Sequence, residues 1–424
     1  MTEIELRKDI KTKTAVVFPN VYNLDIKLSP EARLEEASGL AFAINLDVVY
    51  KEIINLKTIK PSTFFSKGFI DRFIPIIEAE NIELLIVDTS ITPIQQRNLE
   101  KALKIKVIDR TALILEIFGE RAKTKEGVLQ VELAHLTYQR SRLVRSWTHL
   151  ERQRGGAGFL GGPGETQIEL DRRIIDDKIV RIKKELEKVI KTRELQRSAR
   201  KKIPYPIVAL VGYTNAGKSS IFNKLSKANV FAKDLLFATL DPTMRKIALP
   251  SGREIILSDT VGFISDLPHE LVLSFRATLE EVLEADLIVH VRDISNANTK
   301  AQKSDVLAVL DNLGLKYMEN DKKYLEVLNK IDLLPSGLYS YGENIATSAE
   351  TGEGLDKLLK AVDNRLSADF KEERVKVPAS DGKIISWIYE NSEVLSSKLI
   401  KDMIHLKIKI SEQELSKLNA RLKK

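Results

Sequence analysis

The spacing of apolar residues changes along this chain, and each change predicts a different kind of element. From Thr14 to about Gly119, short β-branched runs (Ala15-Val-Val-Phe18, Ile82 to Val87, Lys106-Val-Ile108) alternate with helical stretches such as Pro93 to Leu103. That alternation predicts a small α/β layer with a largely parallel sheet. From about Glu126 to Lys202 the spacing becomes heptad. Leu129, Leu136, Leu143 and Leu150 fall seven apart with Leu133 and Trp147 between them, and Ile168, Ile175, Ile182 and Val189 repeat the pattern with Ile179 and Leu186. Two such stripes facing each other predict an antiparallel helical hairpin. Its second helix, continuous from Glu165 to Arg200, would be about 36 residues and roughly 54 Å long. Lys201-Lys-Ile-Pro-Tyr-Pro206 then ends the helix, because two prolines cannot continue it. From Ile207 to about Leu366 strands (Ile207 to Val211, Glu254 to Leu257, Leu287 to Val291, Tyr324 to Leu328) again alternate with helices, which predicts a doubly wound sheet. Val375 to Lys424 reads as a small mixed α+β segment. The expected boundaries are 1–125, 126–203, 204–370 and 371–424.

Composition narrows the class. A chain of 424 residues exceeds one ordinary domain of roughly 100 to 200 residues. With 43% hydrophobic and 30% charged residues it is expected to be globular with long solvated helices. Lys plus Arg number 67 against 60 Asp plus Glu, a net +7 that favours a polyanionic partner, although a basic surface kept for solubility accounts for it equally well. There is no cysteine, so disulfides and thiolate-bound zinc are excluded and a reducing cytosol is expected. The first residues lack the apolar core of a signal peptide, and no run reaches the roughly 18 to 20 apolar residues that span a bilayer. A cytoplasmic monomer is expected, with peripheral contact as the one membrane association left open.

The chemistry lies in four loops of the second α/β region. Gly212, Tyr213, Thr214, Asn215, Ala216, Gly217, Lys218 and Ser219 follow a strand and open a helix, the context a phosphate-binding P-loop needs. Backbone N–H groups would wrap the β-phosphate, Lys218 would span β- and γ-phosphate oxygens, and the Ser219 hydroxyl would ligate Mg2+. Asp259, Thr260, Val261 and Gly262 follow a second strand. Asp259 is expected to hold the metal directly or through water, and the Gly262 amide to sense the γ-phosphate. Asn329, Lys330, Ile331 and Asp332 follow a third strand and select the base. A carboxylate at Asp332 accepts from N1–H and the N2 amino group of guanine, which adenine cannot offer, so the nucleotide is GTP or GDP. Thr347, Ser348, Ala349 and Glu350 come last, where a backbone amide could donate to guanine O6. Between the first two loops, Phe237, Ala238, Thr239, Leu240 and Asp241 supply a switch threonine for the metal; Thr239 is favoured and Thr243 is the alternative. Lys218, Thr239 and Gly262 are the expected catalytic positions. Phe263 stands where Ras-like enzymes carry the glutamine that orients water, which predicts slow intrinsic hydrolysis raised by a partner or by another group of the chain, His269 and Arg276 being nearby candidates. Asn215 resembles the P-loop asparagine of potassium-assisted GTPases, so K+ is a candidate cofactor, with simple loop capping the alternative.

One match is rejected. Gly156-Ala-Gly158-Phe-Leu-Gly161 fits the dinucleotide pattern by letter, but a helix precedes it where a strand is required. A glycine-rich hairpin tip is the better reading.

Together with Ile108-Asp-Arg-Thr111, Glu126 to Ala134, the tip Gly161-Gly-Pro-Gly-Glu-Thr-Gln167 running on to Asp171-Arg-Arg173, Phe237 to Asp241 and Asp259 to Phe263, these loops resemble the HflX family of translation-factor-class GTPases. The resemblance covers nearly the whole chain. It departs at His135, where the family commonly has glutamine, and at Ser66-Lys-Gly68, all that remains of a Gly-Lys-Gly-type segment. It implies a GTP-dependent factor that binds the large ribosomal subunit and splits stalled ribosomes under stress. The charge agrees: Leu170 to Lys202 carry 13 Lys or Arg against 6 Asp or Glu, a net +7. Arg140, Arg142, Arg145, Arg152 and Arg154 extend that surface toward the tip, where Phe159 could stack on an exposed base. A solvated coiled-coil face, and a GTP-gated scaffold that grips a protein, are the competing readings. ATP-dependent RNA remodelling by residues 1–125 has little support, since no second Gly-x-x-x-x-Gly-Lys occurs there.

Overall fold

The computed structural model describes residues 11–22, 28–153, 163–200, 205–227, 236–237, 243–266, 282–315, 321–335, 344–367 and 370–422. The N-terminal layer is a four-stranded, all-parallel sheet in the order β2-β1-β3-β4, built from β1 (Lys13–Val21), β2 (Asp47–Leu56), β3 (Leu84–Val87) and β4 (Lys106–Asp109). A parallel sheet must be covered on both faces, and β1 shows how. Val16 packs toward Ala37 and Leu40 of α1 (Pro30–Ala43), whereas Ala15 and Val17 face Phe65, and Phe69 and Phe73 of α2 (Lys67–Glu80). Ser66, from the segment that departs from the family pattern, caps α2 by accepting from Phe69 N at 3.3 Å. Helix α3 (Pro93–Leu103) starts on a capping box made by Thr92 and Gln95, and α4 (Arg110–Arg121) on Asp109. Strand β2 was not anticipated: it is an edge strand, half-buried along most of its length, and so lacks a clean alternation.

The heptad stripes meet as expected. In α5 (Lys125–Gln153) and α6 (Pro163–Arg200), buried Leu129 and Leu136 oppose Ile179, Ile182 and Leu186, with Leu133, Ile175 and Val189 at the margins. Of the other stripe positions, Leu143 is half-buried outside this cluster, and Leu150, Trp147 and Ile168 have side chains outside the described residues, as does the tip 154–162. A second apolar face of α5 carries Val131 and Ala134 into the core beneath α1 and α4, which joins the hairpin to the N-terminal layer.

The second sheet runs β10-β9-β8-β5-β7-β6, from β5 (Ile207–Val211), β6 (Thr243–Ala248), β7 (Glu254–Asp259), β8 (Leu287–Asp293), β9 (Tyr324–Asn329) and β10 (Ile345–Ala346). All pairings are parallel except the edge strand β6, which had no predicted counterpart and runs antiparallel to β7. One face holds Leu210 and Leu257 against Ile221 and Phe222 of α7 (Lys218–Ser226) and Leu358 of α9 (Leu355–Ser367). The other holds Ala209 and Val211 against Phe263 and Ile264, and Val306 and Leu310 of α8 (Thr299–Asn312). That second cluster is continuous with Leu40 and Phe118 of the N-terminal layer, so the two sheets share a core. Finally β11 (Phe370–Pro378), α10 (Gly382–Asn391), β12 (Glu393–Ile400), β13 (Met403–Ser411) and α11 (Glu412–Leu422) form an antiparallel sheet in the order β11-β13-β12 with both helices on one face. Among the described residues no helix is long and apolar enough to cross a membrane.

Candidate nucleotide-binding site

Strands β5, β7, β8 and β9 lie side by side and parallel, so the loops at their C-terminal ends converge on one crevice. Glycine is required at two P-loop positions. A Cβ on Gly212 (φ 153°) would lie 2.2 Å from the Val291 carbonyl oxygen, and one on Gly217 (φ 92°) would lie 2.1 Å from Asn329 Nδ2. Those gaps let strand β8 and the loop that begins at Asn329 close directly on the P-loop. Asn329 then ties three loops together: its Nδ2 donates to Ala216 O at 2.9 Å, and its Oδ1 accepts from Ala349 N at 3.1 Å and Thr347 Oγ1 at 3.2 Å. Lys330 is anchored by Asp293 at 2.9 Å, and Asp332 remains exposed for a base.

Lys218 is buried, and its ammonium donates to Gly212 O at 3.1 Å and Tyr213 O at 2.8 Å. Burial pushes its pKa down to about 8, opposed by the charge of Asp259. The hydroxyl of Ser219 donates to Asp259 Oδ2 at 2.7 Å. Two hard oxygens converging at a helix N-terminus fit the donor set of Mg2+. Thr214 Oγ1 is buried with no hydrogen-bond partner among the described residues, which fits a phosphate oxygen as its missing acceptor.

The DxxG loop closes over this cradle. Phe263 N donates to Gly212 O at 3.1 Å and Thr214 N donates to Phe263 O at 2.7 Å, so the loop pairs with the P-loop like a short strand. Gly262 sits above the lysine: a Cβ there would be 2.9 Å from Thr214 Cα and 3.1 Å from Lys218 Nζ. The Phe263 ring is buried, so this position offers no side chain to a water. Thr243 begins β6 and pairs with Asp259, while Ala238, Thr239, Leu240, Asp241, His269 and Arg276 lie outside the described residues.

Nothing local to the P-loop signals what surrounds Tyr213. Its hydroxyl donates to Glu36 of α1, accepts from Ser265 N at 2.8 Å and lies 2.8 Å from Ser265 Oγ. Burial first, and then Glu36, raise the Tyr213 pKa. Arg110 bonds Asp88 and Glu36, each at 2.5 Å, and Ser265 O at 2.9 Å; Arg33 bonds Asp88 at 3.1 Å and Asp266 at 2.5 Å. Burial opposes the Arg110 charge, but Asp88 and Glu36 more than offset it and raise its pKa. Phe118 of α4 meets Phe237 edge-on at 4.7 Å. A cleft of about 730 Å³ lies between α1 and the P-loop, lined in part by Glu35, Glu36, Asn215 and Asn298. The Ile108-Asp-Arg-Thr111 segment, legible in the sequence only as a resemblance, supplies the arginine of this network.

Comparison with known proteins decides the family. Residues 31–119, 121–200, 207–330 and 339–424 match families described, in that order, as GTP-binding GTPase N-terminal, GTP-binding GTPase Middle Region, 50S ribosome-binding GTPase and HflX C-terminal domain. The chain is 46% identical over 396 residues to GTPase HflX of Magnetococcus marinus, covering 92% of this chain and 91% of that one. It is 42% identical over 364 residues to GTPase HflX of Escherichia coli, covering 84% of each. The chain belongs to the HflX family of GTPases. It is a P-loop enzyme that binds GTP and hydrolyses it to GDP. Among solved structures it is similar to a GTP-binding protein from Sulfolobus solfataricus in complex with GDP, at 24% identity and a TM-score of 0.45, covering 84% of this chain and 99% of that one.

Two of the hairpin's arginines already have acidic partners. Arg142 turns inward to Asp109 at 2.5 Å and to Gln96, and Arg140 pairs across the hairpin with Asp176 at 2.6 Å. Arg142 is therefore part of the joint between hairpin and N-terminal layer rather than of an RNA-facing surface.

Proposed function

We propose that this GTPase binds the large ribosomal subunit through the helical hairpin 126–203 and uses GTP to separate stalled ribosomes under stress. The observation that carries this reading is the outer face of α6. Arg172, Arg173, Lys178, Arg181, Lys183, Lys184, Lys188 and Lys191 are all exposed, while the apolar seam beneath them is satisfied by α5. A rigid basic rod of this kind suits RNA phosphates better than a protein partner's mixed surface. The 50S ribosome-binding description of the family matched by 207–330 supports the same partner, and a cytoplasmic location follows from it.

Within the site, Lys218 and the P-loop amides would hold the phosphates, Asp332 the guanine, and Ser219 with Asp259 the magnesium ion, completed by Thr239 from the switch. Bound Mg2+ would supply charge neutralisation between the β- and γ-phosphates. Asn215, exposed on the cleft beside the P-loop, would hold K+. Hydrolysis would be slow in the free protein, because Phe263 replaces a water-orienting side chain, and the ribosome would raise it.

The deciding measurement is GTP turnover and co-sedimentation with purified large subunits across a salt series. Stimulated turnover and salt-sensitive binding are expected, both reduced at least tenfold when Arg172, Arg173, Lys183 and Lys184 are changed to Gln. Subunit binding that ignores this substitution would assign the hairpin to a protein partner instead.

A further inference from the structure

The C-terminal unit has a face that the nucleotide chemistry does not use. Helices α10 and α11 cover one side of its sheet, where Val375, Val377, Leu406, Ile408 and Ile410 are buried against Ile388 and Leu418. Strand alternation sends the intervening residues to the opposite side. The pairing registers put Lys376, His405 and Lys398 in one rank across the strands, and Arg374 and Lys407 in the next with Ser396. In the last rank Lys409 lies between Glu372 and Glu393, and Glu372 is already bonded to Lys407 at 2.7 Å. Arg374, Lys376 and Lys398 are exposed.

Like charges directly opposite one another on neighbouring strands destabilise a sheet, and Arg374 facing Lys407 is such a pair. A sheet face arranged for stability alone would alternate sign. Here only the last rank does so, through Glu372 and Glu393 beside Lys409, and the two ranks before it carry no carboxylate. The conflict between Arg374 and Lys407, beside the exposed Lys376 and Lys398, marks a surface with an outside partner.

We propose that this basic sheet face docks on the phosphate backbone of a double-helical RNA. The ranks named above contain no Phe, Tyr or Trp and a single imidazole, His405, which is too little for a stacking platform for single-stranded bases. Apart from Ser396 and His405 the first two of these ranks carry only cations, which position a backbone without reading sequence. Cations about 4.8 Å apart across strands and about 7 Å apart along them form a rigid array that a duplex backbone can meet without ordering long loops. The inference stands on the C-terminal sheet alone and is independent of the role given to the hairpin.

The test uses the full chain and a 20-base-pair RNA duplex of arbitrary sequence, titrated at several salt concentrations. The variant Arg374→Gln, Lys376→Gln, Lys398→Gln removes three exposed cations outside the nucleotide loops. It should leave basal GTP turnover unchanged and weaken duplex binding about tenfold or more at low salt. The log–log salt slope should become shallower by about two to three, roughly one per lost phosphate contact. The charge-retaining variant Arg374→Lys, Lys376→Arg, Lys398→Arg should bind as the parent does. Unchanged affinity and slope in the Gln variant would overturn the proposal, as would loss of binding in the charge-retaining one. If the Gln variant loses binding to large ribosomal subunits while its duplex affinity is intact, the face belongs to a protein contact and the RNA proposal fails. Hairpin variants tested in parallel report on the other surface separately.

Discussion

Lys218 concentrates the residue-scale physics of the site. The carbonyls of Gly212 and Tyr213 accept from its ammonium, but burial lowers its pKa from 10.5 to about 8. The sign of the consequence follows directly. Unfolded chain keeps the proton up to about pH 10.5, so the buried charge costs stability below pH 8, and that cost disappears as pH rises from about 8 to 10.5. A phosphate favours the charged form, so GDP affinity should be flat below pH 8 and fall above it, by up to about tenfold per pH unit until the bound-state pKa is reached. Fluorescence titration of GDP between pH 6.5 and 9.5 checks this. An affinity that is level through pH 9.5 would mean that the lysine keeps its proton in the free protein.

At the scale of elements, the hairpin illustrates how burial separates residues that look alike in sequence. Ile182 and Val180 are both β-branched and two apart in α6, yet Ile182 is 5% exposed in the seam and Val180 is 51% exposed. Ile182→Ala removes buried methyl and methylene groups from a packed interface and should cost about 2–4 kcal/mol. Val180→Ala should stay within about 0.5 kcal/mol, since little is buried there to lose. Chemical denaturation followed by circular dichroism distinguishes them, and equal midpoints would show that the seam is not a packed contact. Heptad spacing made the seam legible, because i and i+7 positions share a helix face. The second apolar face of α5 was not: Val131 and Ala134 belong to no long repeat, and only the position of α4 and α1 explains them.

Across the whole molecule, the P-loop and the DxxG loop are connected to the N-terminal layer by a buried ionic network rather than by a linker alone. Arg110 bridges Asp88, Glu36 and Ser265 O, while Tyr213 reaches Glu36 and Ser265. Asp109, the neighbour of Arg110, accepts from Arg142 and from Tyr138 at 2.8 Å, which carries the same network to the base of the hairpin. Arg110→Met would leave Glu36 without its buried cation and Asp88 with Arg33 alone, and should destabilise the protein by about 3–5 kcal/mol. Adding Glu36→Gln and Asp88→Asn to that variant should recover part of the loss, because both carboxylate charges are then gone while Arg33 keeps Asp266. Denaturant midpoints of the single and triple variants test the idea; a single variant as stable as the parent would show that the bridge is not under strain from burial.

The sequence alone determined the order and chemistry of the nucleotide loops, since each depends on short-range spacing after a strand: Lys218 after Gly212, Asp259 after an apolar run, Asp332 after Asn329. It also determined the heptad seam, and the absence of a glutamine at Phe263. Tertiary structure decided everything that joins residues far apart in the chain. The bond from Arg33 to Asp266 spans 233 positions, and that from Glu36 to Tyr213 spans 177, so neither leaves a periodic trace. The same holds for Arg142, whose place among the basic residues of the hairpin suggested a solvent-facing cation until Asp109 was seen beneath it. Edge strands β2 and β6 escaped for a related reason: partial burial blurs alternation, and what makes them strands is the neighbour they pair with. The resident chemistry of this GTPase is thus written locally, and its coupling to the rest of the molecule is settled by which distant surfaces the fold brings into contact.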